Sequence, residues 1–215
     1  MRKGVVMNFG FLVFPDFEEL DLVGPWEMIG YWSQIAQGPT QRLLIAEHPG
    51  PVVGNKGLSL NPQITFSDCP PLEYLLIPGG WGTRKEVDNE NLIHFVSGQA
   101  NHCKAILSVC TGSFILHRAG LLSGLKATTH WASLDRLRAL GDVHVVEERI
   151  VQDGRIWTSA GVSAGIDLAL VFIAQEAGED AAGQVQFASE YYPLHKSYGQ
   201  FRNNEKAPQY IKEKL

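Results

Sequence analysis

Ala105-Ile106-Leu107-Ser108-Val109-Cys110-Thr111-Gly112-Ser113-Phe114 is an apolar run that ends on a cysteine and enters a helical pattern with almost no loop. A strand that turns this sharply into a helix lifts the residue at the junction clear of the sheet, the geometry of a nucleophile elbow. The same junction sets the thiol beside backbone N–H groups and the positive end of a helix dipole, which favours the thiolate, the reactive form. Cys110 therefore reads as a candidate nucleophile. The plain alternative is a small apolar residue that fills core space, the commoner fate of a buried cysteine.

Outward from this stretch, short apolar runs at Met7–Phe14, Arg42–Ala46 and Tyr74–Ile77 join Ala105–Val109 as strand candidates. Helical patterns separate or follow them at Leu22–Ile35, Asn91–His102, Thr111–Ala119, Trp131–Leu140, Ala164–Ala177 and Asp180–Tyr191. Pro25 falls in the first turn of its helix on this reading, where a missing N–H costs least. Arg149–Gln152 and Arg155–Thr158 flank Asp153-Gly154, a hairpin signal. Apolar strands alternating with helices imply an α/β fold: a doubly wound, mostly parallel sheet sandwiched between helices. The 215 residues form one domain over 1–192 and a polar tail over 193–215, which packs on the body or on a partner.

Three more segments sit where strands should end. Leu76-Ile77-Pro78-Gly79-Gly80-Trp81-Gly82 brings backbone close to a ligand and aims N–H groups at developing negative charge, or is a plain tight turn. Glu18-Glu19-Leu20-Asp21-Leu22-Val23-Gly24-Pro25 follows the first strand. Ligands of such sheets bind beyond the carboxyl ends of the strands, so an acid here meets Cys110 in space. Asp21 is that acid or a helix N-cap, and Glu18 and Glu19 read as solvated. Ala127-Thr128-Thr129-His130-Trp131 carries the one histidine in a compact polar–aromatic cluster, either a base or a hydrogen-bonded structural residue. His48, His94, His102, His117, His144 and His195 are scattered without ligand spacing.

The net charge of −5 argues against a nucleic-acid surface, and no run of about 18 apolar residues offers a membrane span. With neither a G-x-G-x-x-G fingerprint, a P-loop nor an H-E-x-x-H motif, no nucleotide cofactor or metal is expected. Three cysteines without a C-x-x-C pair, Cys69 and Cys103 being structural, suit a reducing compartment. Met1-Arg2-Lys3 and the apolar stretch after it resemble a signal peptide, but no small-x-small cleavage site follows. The expected location is the cytoplasm.

Taken in order, Leu20-Asp21-Leu22-x-Gly24-Pro25, Pro49-Gly50-Pro51-Val52-Val53, Asp68-Cys69-Pro70-Pro71-Leu72, Ile77-Pro78-Gly79-Gly80, Ser108–Ser113, Ala127–Trp131 and Ala164-Gly165-Ile166-Asp167 resemble the ThiJ/PfpI superfamily, whose fold is class I glutamine amidotransferase-like and flavodoxin-like. Within it the chain is most similar to the isocyanide hydratase branch. The resemblance implies Cys110 as nucleophile, Asp21 as acid/base partner and the N–H groups of Thr111 and Gly80 as an anion pocket. Gly79, Trp81 and His130 lie near the site on this view, with His130 not required. It further implies a small-molecule substrate, no cofactor, a homodimer, and hydration of an isocyanide to an N-substituted formamide through a covalent thioimidate.

Two features depart from that branch. Thr158-Ser159-Ala160-Gly161-Val162-Ser163 looks more like the sensing domains of AraC-type regulators, and Trp81 is bulky enough to narrow a pocket. Two other readings therefore stand beside the hydratase. One is a ligand-sensing module without its own DNA-binding domain, since roughly two dozen residues after Tyr192 are too few for a helix-turn-helix pair. The other is a stress-response protein whose Cys110 reacts with peroxide or reactive carbonyls.

Overall fold

The computed structural model describes residues 6–194, 196, 198, 199 and 204–212. Its strands are β1 (Asn8–Leu12), β2 (Gln41–Ala46), β3 (Val52–Val53), β4 (Ser59–Leu60), β5 (Ile64–Thr65), β6 (Tyr74–Ile77), β7 (Ala105–Val109), β8 (Lys126–Ala127), β9 (His144–Val145), β10 (Ile150–Asp153) and β11 (Ile156–Ser159). The helices are α1 (Glu19–Ile35), α2 (Thr83–Glu86), α3 (Glu90–Ala100), α4 (Gly112–Arg118), α5 (Leu134–Arg138), α6 (Ala164–Ala177), α7 (Glu179–Ala188) and α8 (Gln209–Lys212). Seven strands form one sheet in the order β10-β11-β7-β6-β1-β2-β5. All neighbours are parallel except the β10–β11 hairpin, which turns at Asp153-Gly154 as the sequence implies.

Strands covered on both faces read as continuous apolar runs, and every residue of β1, β6 and β7 is buried. On one face Phe172 of α6 meets Phe9, Trp32, Tyr74 and Trp157 edge-on, with ring centroids 5.1–6.2 Å apart. Edge-to-face pairs suit the ring quadrupoles and lock α1 and α6 against the sheet. The chain leaves β1 for β2 on one side and returns to β6 on the other, so a crevice opens beyond the carboxyl ends of β1 and β6.

Several boundaries differ from expectation. The first strand is shorter than Met7–Phe14, because Val13 and Phe14 leave the ladder while staying buried. α1 begins at Glu19, three residues before Leu22, so Pro25 lies inside the helix rather than in its first turn. The expected helix Trp131–Leu140 is a 3₁₀ turn over Trp131–Ser133 followed by α5, and the last long helix ends at Ala188. The two-residue strands β3, β4, β5, β8 and β9 carry too little pattern to be read from sequence. No helix among the described residues is long and apolar enough to cross a membrane. His195 lies outside the described residues.

Candidate active site

Cys110 stands between β7 and α4 with φ +58°, a left-handed conformation uncommon for a residue with a side chain. Its backbone N–H donates to the carbonyls of Ser159 (3.2 Å) and Ala160 (3.2 Å), and its carbonyl accepts from the Thr129 hydroxyl (2.8 Å). Two segments, the end of β11 and the loop after β8, therefore hold the junction in its strained shape. The side chain is nearly closed off, 7% exposed.

Asp21 comes from the third residue of α1 and is fully buried. It caps nothing. Its Oδ2 accepts from the Gly79 N–H (2.8 Å) and its Oδ1 from the Val162 N–H (3.0 Å), so backbone from the ends of β6 and β11 grips both carboxyl oxygens. The thiol of Cys110 faces the same carboxyl closely enough for each group to shift the other's protonation. Burial raises Asp21 to about 8, against the two N–H donors and with help from the charge of Glu18. The carboxyl is consequently protonated at neutral pH.

The thiol moves opposite to the expected direction. Burial first, then the negative charge Asp21 carries once it ionises, pushes it well above the ordinary thiol range; the Thr111 N–H and hydroxyl pull the other way and do not prevail. A seven-residue helix supplies too little field to offset desolvation.

The glycine segment serves both partners. Gly80 (φ +121°) leaves no room for a side chain, because a Cβ there would stand 2.4 Å from both the Asp16 carbonyl oxygen and the Glu18 nitrogen. Gly79 accepts from the Glu18 N–H (2.9 Å) while donating to Asp21, which welds the β6 end to the start of α1. The Gly80 N–H does not point freely at the thiol; it donates to Thr111 Oγ1 (3.0 Å), a hydroxyl that also lies 3.1 Å from Thr83 Oγ1.

Trp81 does not narrow anything. It is 61% exposed and lies under the Arg84 guanidinium, 3.9 Å from ring centroid to Cζ. Glu18 and Glu19, expected in solvent, are largely buried and paired with Lys56. His130 flanks the site: its ring packs on Gly161, its Nδ1 accepts from the Ala132 N–H (3.2 Å), and burial lowers its pKa. It makes no hydrogen bond to Cys110 or Asp21. Val162, missed in the sequence, holds Asp21 through its N–H from a left-handed φ of +55°. A β-branched residue gives no sequence signal for such a conformation.

A parallel, doubly wound sheet with a cysteine on a strained strand-to-helix turn, facing a buried acid, defines a class of α/β proteins with a thiol site at the sheet's carboxyl edge. Residues 8–175 match the DJ-1/PfpI family, and the chain belongs to it. It is 40% identical over 189 residues to an isonitrile hydratase of Pseudomonas putida, covering 88% of this chain and 80% of that one. The crystal structure of a THiJ/PfpI family protein from Pseudomonas syringae superposes with a TM-score of 0.82 at 35% identity, covering 98% of this chain and 86% of that one. The transcriptional regulator GbdR of Pseudomonas aeruginosa, named as helix-turn-helix type, is 27% identical over 180 residues. Those residues are 83% of this chain and 49% of the regulator, so the chain matches about half of that relative's length.

Proposed function

We propose that the protein hydrates isocyanides to N-substituted formamides without a cofactor, through Cys110 and Asp21. The observation that carries this reading is the burial of a thiol and a protonated carboxyl against one another. The similarity to the isonitrile hydratase supports it.

The terminal carbon of an isocyanide holds a lone pair and accepts a soft nucleophile. Sulfur bonds to that carbon while the same carbon takes a proton, so S–H adds across one atom and leaves the thioimidate S–CH=N–R. Asp21, held as the acid, delivers that proton and receives the one the thiol loses. Water then adds to the thioimidate carbon as Asp21 passes a proton to nitrogen; the C–S bond breaks, the thiol recovers its proton and the formamide leaves. A high resting pKa suits this sequence, because thiol and acid enter the cycle protonated. The Thr111 N–H and hydroxyl stabilise the sulfur as it sheds its proton, and Gly80 and Thr83 orient that hydroxyl. Gly79 positions Asp21, and His130 stays outside the proton path.

A homodimer in the cytoplasm fits three free cysteines and the exposed Leu20, Val23, Val53 and Leu58 around the start of α1. Formamide formation from aryl and alkyl isocyanides by wild type, absent from Cys110→Ala, is the expected result. A second reading, a ligand-sensing module, draws on the likeness to the regulator. It gains if folded wild type binds isocyanides or other small molecules and converts none.

A further inference from the structure

A sizeable cavity apart from the thiol site is not lined by Cys110. It measures about 760 Å³ and lies one strand away, beyond the carboxyl ends of β1 and β2, under the turn that leads into α3. Val13, Phe14, Phe66 and Leu92 supply apolar wall, and the volume falls within the range of about 300–1,000 Å³ that holds small organic ligands.

The polar side of this cavity is unbalanced. Asn89 Nδ2 donates to Glu47 Oε2 (2.8 Å) and to Glu86 Oε2 (2.8 Å), so one neutral amide clamps two carboxylates side by side. Asn91 Nδ2 donates to the other oxygen of Glu47 (2.7 Å), and these amides hold Glu47 below the usual carboxylate range. Asn89 is committed elsewhere as well, its Oδ1 capping α3 through the N–H groups of Asn91 and Leu92. Glu86 is only 4% exposed, yet no cation among the described residues forms an ion pair with it. Asp16 and Asp88 add two more acids to the lining.

The cations nearby do not answer this charge. His48 reaches Glu47 Oε1 at 3.6 Å from a side chain that is 80% exposed, and Lys85 at the rim pairs with neither glutamate. A carboxylate in a cavity wall that is held by neutral amides and not by a cation gains charge-assisted hydrogen bonds from a ligand ammonium. No group of three or more His, Cys, Asp or Glu among the described residues is placed to hold a metal ion, and much of the wall is apolar.

We infer that this cavity is a second binding site, separate from the thiol, for an organic ammonium ion: a protonated primary amine with an alkyl or aryl body. The ammonium N–H groups meet Glu86 and Glu47, and the apolar body fills the space between Phe14, Phe66 and Leu92. The inference is independent of the reaction at Cys110.

Calorimetric titration at pH 7 with 2-phenylethylammonium, against the neutral isostere 2-phenylethanol, tests it. Wild type should bind the ammonium saturably and the alcohol at least about ten-fold more weakly. Glu86→Gln, which keeps the acceptor for Asn89, should lose about ten-fold in ammonium affinity. Ala46→Met extends a side chain into the cavity from its floor and should abolish binding, with melting curves reporting whether each variant folds. Cys110→Ala should bind as wild type does. Equal binding of amine and alcohol by wild type, or no saturable binding, overturns the proposal even if a variant fails to fold. Loss of binding in Cys110→Ala also overturns it by moving the ligand to the thiol site.

Discussion

Two cysteines bracket the same strand. Cys103 precedes β7 and is 5% exposed; Cys110 follows it and is 7% exposed. Burial pushes both thiols up, Cys103 to about 12 and Cys110 further still. Neither burial nor resting acidity separates them. What differs is the end of the strand. At the amino end Cys103 occupies core space, with the Arg155 guanidinium bonded to its carbonyl rather than its sulfur. At the carboxyl end Cys110 is forced to φ +58° opposite a carboxyl that is itself protonated. On the proposed mechanism, reactivity belongs to position in the sheet and to a proton-sharing neighbour, not to a thiolate waiting at rest.

The sharpest way to break this contrast is to remove each sulfur in turn. Cys110→Ala should cut isocyanide hydration by about 10³-fold or more in a formamide assay, while Cys103→Ala should keep the rate and lose about 1 kcal/mol of stability in urea unfolding. Comparable rate losses in the two variants would erase the distinction.

Next in size is the acid. Asp21→Asn should lower kcat by about 10²–10⁴-fold, and in wild type kcat/KM should fall as pH rises through about 8, where the carboxyl loses its proton. The same group leaves a thermodynamic trace. Its folded pKa of about 8 lies above the ordinary 3.8, so its contribution to stability is full below pH 4 and is lost as pH rises to 8. The difference in unfolding free energy between wild type and Asp21→Asn should therefore shrink by about 1.4 kcal/mol per pH unit across that interval. A flat difference would mean that Asp21 is ionised in the native protein.

Smaller effects come from the flanks. His130→Ala should leave kcat within about three-fold, since a group outside the proton path does not contribute the usual acid–base factor. Val162→Gly removes a β-branched residue from a left-handed backbone and should raise stability by up to about 1 kcal/mol in a thermal melt, keeping the N–H that holds Asp21.

The pattern of runs along the chain carried much of this architecture. β6 and β7 have the expected bounds because buried parallel strands are uninterrupted apolar segments, and the turn at Cys110 follows from a strand meeting a helix without a loop. The partners of the acidic stretch were illegible. Glu18 looks solvated until Lys56, 38 residues on, is folded against it, and Asp21 looks like a cap until backbone 58 and 141 residues away is seen to claim its oxygens. The thiol's pKa lies opposite to the direction its motif implies, because a local motif announces a helix dipole but not the desolvation imposed by the rest of the fold. The amine cavity is assembled by Asn89 from segments 42 residues apart, and no local spacing announces it.

The peptide units around Gly79 have a consequence for how this scaffold changes over generations. The Gly79 N–H donates to the Asp21 carboxyl and the Gly79 carbonyl accepts from the Glu18 N–H, and the loop in turn is seated on the sheet, so the spacing of Cys110 and Asp21 is inherited from strand register. Side chains around the mouth are free to drift without disturbing it. If the proposed reaction holds, such an arrangement lets a lineage explore new substrates, or give up turnover for recognition, while the thiol–acid pair travels intact.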